Sequence, residues 1–250
     1  MSRPHSLDAL PQALRAPLST LLDDLVASYS ANLRAVCLYG SGATEEFVHR
    51  RSTPRILVVL DVVDAAAVRQ AALHWPRWRS LGVVAPLFLT LEQIRSSLDV
   101  FPLEFLEMQA RHLTLLGEDP LADLTFGPAA VRQQCERELR GSLITIREGF
   151  IETGHDAKAL ESLLLRAFSG IQRILLGLLW LRKKTAPPTN KELLTKVEEA
   201  FGVSTEPFRE LHALKQGASK PAAHELEALF GRLHDALDRL VQAVDRLVPA

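Results

Sequence analysis

The period of the apolar positions changes near residue 125. Before that point, short continuous apolar runs alternate with stretches of helical spacing. Beyond it, apolar residues return almost everywhere at three- and four-residue intervals. In the first half, Leu18 to about Ser30 has helical spacing, with Pro17 placed as a helix starter. LRAVCLY (33–39) is a short apolar run that ends at a glycine, as a buried strand does. RILVVLDVV (55–63) is β-branched and reads as the strongest strand in the chain. DAAAVRQAALHW (64–75) is alanine-rich behind an aspartate and predicts a helix capped by Asp64. Trp75-Pro76-Arg77-Trp78-Arg79 reads as that helix's end, with a packed ring. VVAPLFLT (83–90) predicts a third strand, with Pro86 at an edge or a bulge. Thr90 and Gln93 have the spacing of a capping box over LEQIRSSL. Glu118-Asp119-Pro120 reads as a turn and helix start.

In the second half, Val131 to Phe150 and Leu160 to Leu181 each carry one helical stripe. TAPPTNKELLTKVEEAF gives a proline-rich loop, then a helix with Thr189 or Asn190 as its cap. Leu226, Phe230, Leu233, Leu237, Leu240, Val244 and Leu247 alternate by four and three as a heptad seam. Four or five helices packed as a bundle follow from this pattern. The expected fold class is α+β: a small mixed-sheet domain over residues 1–125, then an all-α helical bundle over 126–250. The seam serves either the bundle's own packing or a homodimer or protein partner.

Composition refines this picture only slightly. The 250 residues are 47% hydrophobic and 24% charged, enough to bury a sizeable core. A formal net charge of −1 supplies no global field toward nucleic acid or an anionic membrane, so neither is expected as a partner. Cys37 and Cys135 lie in apolar-periodic segments and read as buried free thiols in a reducing compartment. The N-terminus lacks the apolar core of a signal peptide. The run ILLGLLWL (174–181), flanked by Arg173 and Arg182, is too short to span a bilayer. A cytoplasmic location is expected.

Candidate chemistry centres on Gly40-Ser41-Gly42, where the first strand ends. Glycines after a strand let the backbone approach phosphate oxygens, and N–H groups and a serine hydroxyl then donate hydrogen bonds. The turn lacks the lysine of GxxxxGK[ST], and Ala43-Thr44-Glu45 departs from GxGxxG. LYGSGATEEFVHRRSTPRILVVLD (38–61) resembles the core of the nucleotidyltransferase superfamily, the polymerase-beta-like fold. Members carry a strand ending in Gly-Ser, a short helix, and Ser-Asp-x-Asp opening a β-branched strand. Here Ser52-Thr53-Pro54-Arg55 stands at that opening. FPLEFLEMQARHLTLLGEDPL (101–121) is similar to the strand-to-helix passage leading out of the core in bacterial members. The resemblance covers roughly residues 20 to 125, and a helical second half suits the family.

The resemblance implies two carboxylates side by side on the second strand, holding Mg²⁺ against a nucleoside triphosphate. Those positions fall on Thr53 and Arg55. Thr53 is a weak neutral ligand, and Arg55 is a fixed positive charge. Asp61 lies roughly 20 Å along the strand from Arg55. Asp61 and Asp64 would point to opposite faces of a strand. The sequence therefore reads as a degenerate member with no catalytic carboxylates, no metal site and no expected cofactor. Gly40, Ser41, Gly42 and Arg55 form the expected nucleotide or anion site, beside the basic run His49-Arg50-Arg51. Two other readings stay open. One is an active enzyme with carboxylates elsewhere, using a nucleoside triphosphate and Mg²⁺ on a small-molecule or protein hydroxyl. The other is an interaction module working through its helical bundle. Arg69 and His74 read as solvated helix positions, and Arg182-Lys183-Lys184 as cations closing a helix.

Overall fold

Helix α1 (Gln12–Tyr29) starts before the expected Leu18 and contains Pro17 within it. A proline inside a helix removes one ladder bond and costs about 3 kcal/mol. One face of α1 buries Leu14, Leu18, Leu21, Leu22, Leu25 and Tyr29. At about 1.5–3 kcal/mol for each large side chain fully buried, that face outweighs the proline. The computed structural model from which this is read describes residues 7, 10–44, 47, 54–187 and 189–247. The chain divides into two compact units, Met1–Leu98 with Glu107–Thr125, and Asp99–Leu106 with Phe126–Ala250.

The first unit holds a four-stranded mixed sheet in the order β3-β2-β1-β4. Strand β1 (Leu33–Tyr39) runs antiparallel to β2 (Arg55–Leu60) and to β4 (His112–Gly117), and β2 is parallel to β3 (Leu87–Leu89). The ladder places Val36 opposite Val58 and Leu38 opposite Ile56, and this row packs with the leucines of α1 and with Trp78. The alternate row pairs Ala35 with Val59 and Cys37 with Leu57, and these four are buried as well. With both faces covered, the strands are continuously apolar rather than alternating.

Helix α2 (Ala65–Ser80) is capped by Asp64, whose carboxylate accepts from the Ala67 N–H at 2.8 Å. It runs through Pro76 to Ser80, so Trp75–Arg79 forms the end of the helix as expected, with Trp78 as its buried ring. Asp24 of α1 anchors this end of the helix. Its carboxylate accepts from the Trp78 indole N–H at 3.0 Å and from Arg77 at 2.8 Å. His74 stacks on Trp78, with ring centroids 5.5 Å apart, and shares a 2.8 Å hydrogen bond with the Ser28 hydroxyl. It is an interhelical residue, not the solvated position expected; Arg69 is exposed.

The third strand is shorter than expected, three residues at the sheet edge with Pro86 just outside it. Thr90 and Gln93 form the expected capping box at α3 (Leu91–Ser96). The segment 101–121 reverses the expected order: helix α4 (Pro102–Ala110) comes first and strand β4 follows. Nothing local marks this change, because β4 is selected by its pairing with β1. Gly117 closes β4 at φ +79, and a Cβ there would lie 1.9 Å from the Arg34 carbonyl oxygen. The chain then folds back without starting a helix at Pro120. Asp119 bonds the Leu121 N–H at 2.9 Å, and Gln109 donates to the carbonyls of Leu121, Ala122 and Leu124.

The second unit contains α5 (Pro128–Thr153), α6 (Ala157–Leu181), α7 (Asn190–Phe201), α8 (Glu206–Gln216) and α9 (Ala223–Asp245). Thr189 caps α7. Glycines in the left-handed conformation follow α5, α7 and α8 at Gly154, Gly202 and Gly217. The seam of α9 buries Leu226, Leu229, Leu233, Leu237, Leu240 and Val244 within this one chain. Phe230 stacks on Phe150 at 4.0 Å. The run 174–181 belongs to the 25-residue α6, which by length and composition alone suffices to cross a membrane; 56% of its most apolar window is buried inside the protein. Gly177 permits that packing, since a Cβ there would lie 2.2 Å from Leu103 and 3.0 Å from the Cys135 sulfur.

Candidate functional site

Strand β1 ends at Tyr39, and the chain turns at once into a 3-10 segment, Gly40–Ala43. Gly40 adopts φ +72, the left-handed region that glycine enters without strain, and a Cβ there would meet nothing within 4 Å. Glycine thus supplies the turn's conformation and leaves that side of the backbone open. Its N–H is already engaged, donating to the Arg111 carbonyl at 2.9 Å. Any donors for a ligand therefore come from Ser41 onward. Thr44 donates through both its N–H and its hydroxyl to the Ser41 carbonyl, which fixes the turn's second half. Gly42 has a packing reason to be glycine: its Cβ would lie 3.1 Å from Leu38 Cδ1 and 3.2 Å from Pro54 Cα.

Pro54 is buried and Arg55 is exposed at the first position of β2. Arg55 pairs with Tyr39, so the Gly40-Ser41-Gly42 turn and Arg55 meet at one end of the sheet. On the other side of β1, Tyr39 pairs with His112. Arg55, Tyr39 and His112 therefore form one row across three strands on the same sheet face. Burial raises the Tyr39 pKa; the Arg55 charge opposes that shift and the Glu107 carboxylate adds to it. His112 is held by Asp119 at 3.0 Å and by the Gln109 carbonyl at 3.2 Å. Thr53 and the basic run His49-Arg50-Arg51 lie outside the described residues.

Asp61 and Asp64, the carboxylates that follow β2, are engaged elsewhere. Asp61 follows β2 at the opposite end of the sheet and is gripped bidentately by Arg34, which lowers its pKa. The Asn32 amide continues the ladder there, accepting from the Val62 N–H and donating to the Val62 carbonyl. Asp64 is the cap of α2. Among the described residues, no group of three or more His, Cys, Asp or Glu side chains is placed to hold a metal ion. Burial pushes the Cys37 thiol up to about 12 and raises Cys135 as well, so neither is a ready nucleophile. The sequence alone did not bring Glu107 and His112 together with Tyr39 and the turn. Glu107 and His112 reach the turn only because α4 and β4 return to β1, and no local signal announces that return.

At the level of sequence, no family model matches the chain, and no characterised protein matches it either. Comparison of structures does find a likeness. The crystal structure of the spectinomycin adenyltransferase AAD(9) from Enterococcus faecialis, determined with ATP and spectinomycin, matches with a TM-score of 0.53. The match covers 89% of this chain and 98% of that one, at 10% sequence identity. The fold is thus α+β and nucleotidyltransferase-like: a small mixed sheet with a helical second half.

Proposed function

We propose that this chain is a nucleotidyltransferase-fold protein that binds a nucleotide or related phosphate ligand without transferring nucleotidyl groups. The observation that carries this reading is Arg55, exposed at the opening of β2 and paired with the residue that leads into the Gly40 turn. The fold's chemistry calls for carboxylates and a divalent cation at this opening. A guanidinium is a permanent cation and does not ligate a metal. Arg55 therefore offers Mg²⁺ no ligand. Arg55 instead supplies positive charge to an anion, Gly40 keeps the approach open, and Ser41 offers a hydroxyl. Binding at this site needs no metal. The ATP named with the adenyltransferase of like fold makes a nucleotide the first ligand to test.

The test is thermal unfolding of the full chain with each of the four common nucleoside triphosphates, with and without Mg²⁺, alongside Arg55→Glu. A ligand at 100 times its dissociation constant adds about 2.7 kcal/mol. The expected result is metal-independent stabilisation that Arg55→Glu removes. Stabilisation only in the presence of metal, or the same response in Arg55→Glu, would overturn the reading.

A further inference from the structure

The Gly40 turn does not account for the cations that follow α6. Arg182, Lys183, Lys184 and Thr185 line a cleft of about 500 Å³ together with Lys196, Glu199 and Ala200 of α7. Four cationic side chains and one carboxylate share this cleft, in a chain whose formal net charge is −1. Among the described residues, no hydrogen bond or ion pair engages the ammonium groups of Lys183, Lys184 or Lys196. Lys196 is half-buried. The Arg182 guanidinium lies over the Phe201 ring, 5.2 Å from its centroid, which orients it.

Two structural explanations fall short. The dipole of α6 favours cations just beyond its C-terminus but gives no reason for Lys196 in the body of α7. Nor are the lysines needed to satisfy the last carbonyls of α6. The backbone does that itself, with Lys183 N–H donating to Trp180 at 2.8 Å and Lys184 N–H to Leu179 at 3.1 Å. These are the two bonds of a closing motif that favours glycine at the position of Lys183. Lys183 nevertheless adopts φ +54, as Ser30 and His155 also take positive φ, whereas glycines hold the left-handed position after α5, α7 and α8. Glycine would close the same turn without strain, so a lysine stands there against the preference of the backbone.

We propose that this cleft binds a short phosphate chain of two or three phosphoryl groups. Ammonium groups act as point charges that donate to phosphoryl oxygens from several directions, and the oriented guanidinium adds a planar fork. Glu199 is the group in the cleft that opposes an anion, and four cations outweigh it. The chain is either free polyphosphate or the phosphate tail of a nucleotide, and the chemistry is shared. The site is independent of the Gly40 turn and of the function proposed for it.

The experiment is calorimetric titration of the full chain with sodium pyrophosphate, sodium triphosphate and ATP, at low ionic strength and without divalent metal. Triphosphate is expected to bind and to weaken as salt is added. Lys183→Gly is expected to keep or raise the unfolding temperature while losing affinity several-fold, a result that misfolding cannot mimic. Lys183→Gly/Lys184→Gln/Lys196→Gln is expected to lose at least about tenfold, as befits removal of three charge-assisted contacts. Displacement of triphosphate by ATP assigns the chain to a nucleotide; binding that ATP does not displace assigns it to free polyphosphate. Arg69→Gln, at an exposed cation that does not line the cleft, is expected to leave triphosphate affinity unchanged. Undiminished binding by the triple variant, with loss in Arg55→Glu instead, places the ligand at the turn and overturns the proposal. Absence of binding to the parent chain overturns it as well.

Discussion

Arg55 stands opposite Tyr39 across the β1–β2 ladder, one residue before the left-handed Gly40. Charge and turn are thereby coupled through backbone pairing, so the register of two strands sets their spacing. A shift of one residue would send Arg55 to the other sheet face and leave the turn without its cation.

That relationship makes the two residues separable by mutation. Arg55→Ala should weaken nucleotide binding by about 10- to 100-fold, the value of one hydrogen bond to a charged group. Arg55 is exposed, so its removal should change stability by no more than about 0.5 kcal/mol. Gly40→Val should abolish binding and also cost about 1–2 kcal/mol or more, because φ +72 strains a valine even though its Cβ meets nothing within 4 Å. Titration calorimetry and chemical denaturation of both variants check the pair. Unimpaired binding by Gly40→Val would show that the turn is not the site.

Gly117 and Gly82 form a matched comparison. Both have positive φ, +79 and +78, yet only Gly117 would drive a Cβ into backbone, the Arg34 carbonyl. Gly82→Ala should cost about 1–2 kcal/mol from strain alone. Gly117→Ala should cost about 4 kcal/mol or more and loosen the β1–β4 pairing. Urea unfolding of the two variants measures the difference, and equal losses would count against the close approach.

Asp24 links α1 to α2, beside the Ser28–His74 and Tyr29–Ala67 hydrogen bonds. Asp24→Ala leaves the buried Trp78 indole N–H without its acceptor and should cost about 1–3 kcal/mol. Trp78→Phe in the Asp24→Ala background should cost less than in the parent chain, a double-mutant coupling that fluorescence-detected unfolding of the four proteins, followed through the remaining tryptophans, would reveal.

The thiols give a pH dependence. Burial raises Cys37 from an ordinary value of 9.0 to about 12, and Cys135 shifts the same way. The folded state therefore holds these protons more tightly than the unfolded state. The stability this contributes is fully present below pH 9.0 and is lost as pH rises toward 12. Native protein at mildly alkaline pH should react with an aromatic disulfide reagent only at its rate of opening, and immediately in denaturant. Fast labelling of the native chain would contradict the burial of both sulfurs.

How much of this was legible in the sequence depends on the range over which each feature is decided. Asp64, Thr90 with Gln93, and Thr189 cap their helices as their local sequences say, because a cap is settled within one turn. Pro17 was misread for the opposite reason. It is a local breaker, overruled by the leucines that α1 buries. Strand β4 was hidden because His112–Gly117 continues the apolar rhythm of α4 and carries no interior breaker. Only its partner β1 makes it a strand. The site divides in the same way. Gly40, Ser41 and Arg55 could be named from one short segment, whereas Glu107 and His112 arrive by tertiary return. The Arg34 grip on Asp61 depends on a register that no local pattern contains.

The contact of Gly42 with Pro54 has a consequence for the ligand site. It sets the residue after Ser41 against the residue before Arg55, so the turn and the charge are held by close packing as well as by the ladder. Phe47, between them in sequence, packs on the same core, so the approach is anchored at a third point along the chain. A bulkier residue at position 42 would therefore disturb the ligand site without touching either residue assigned to it.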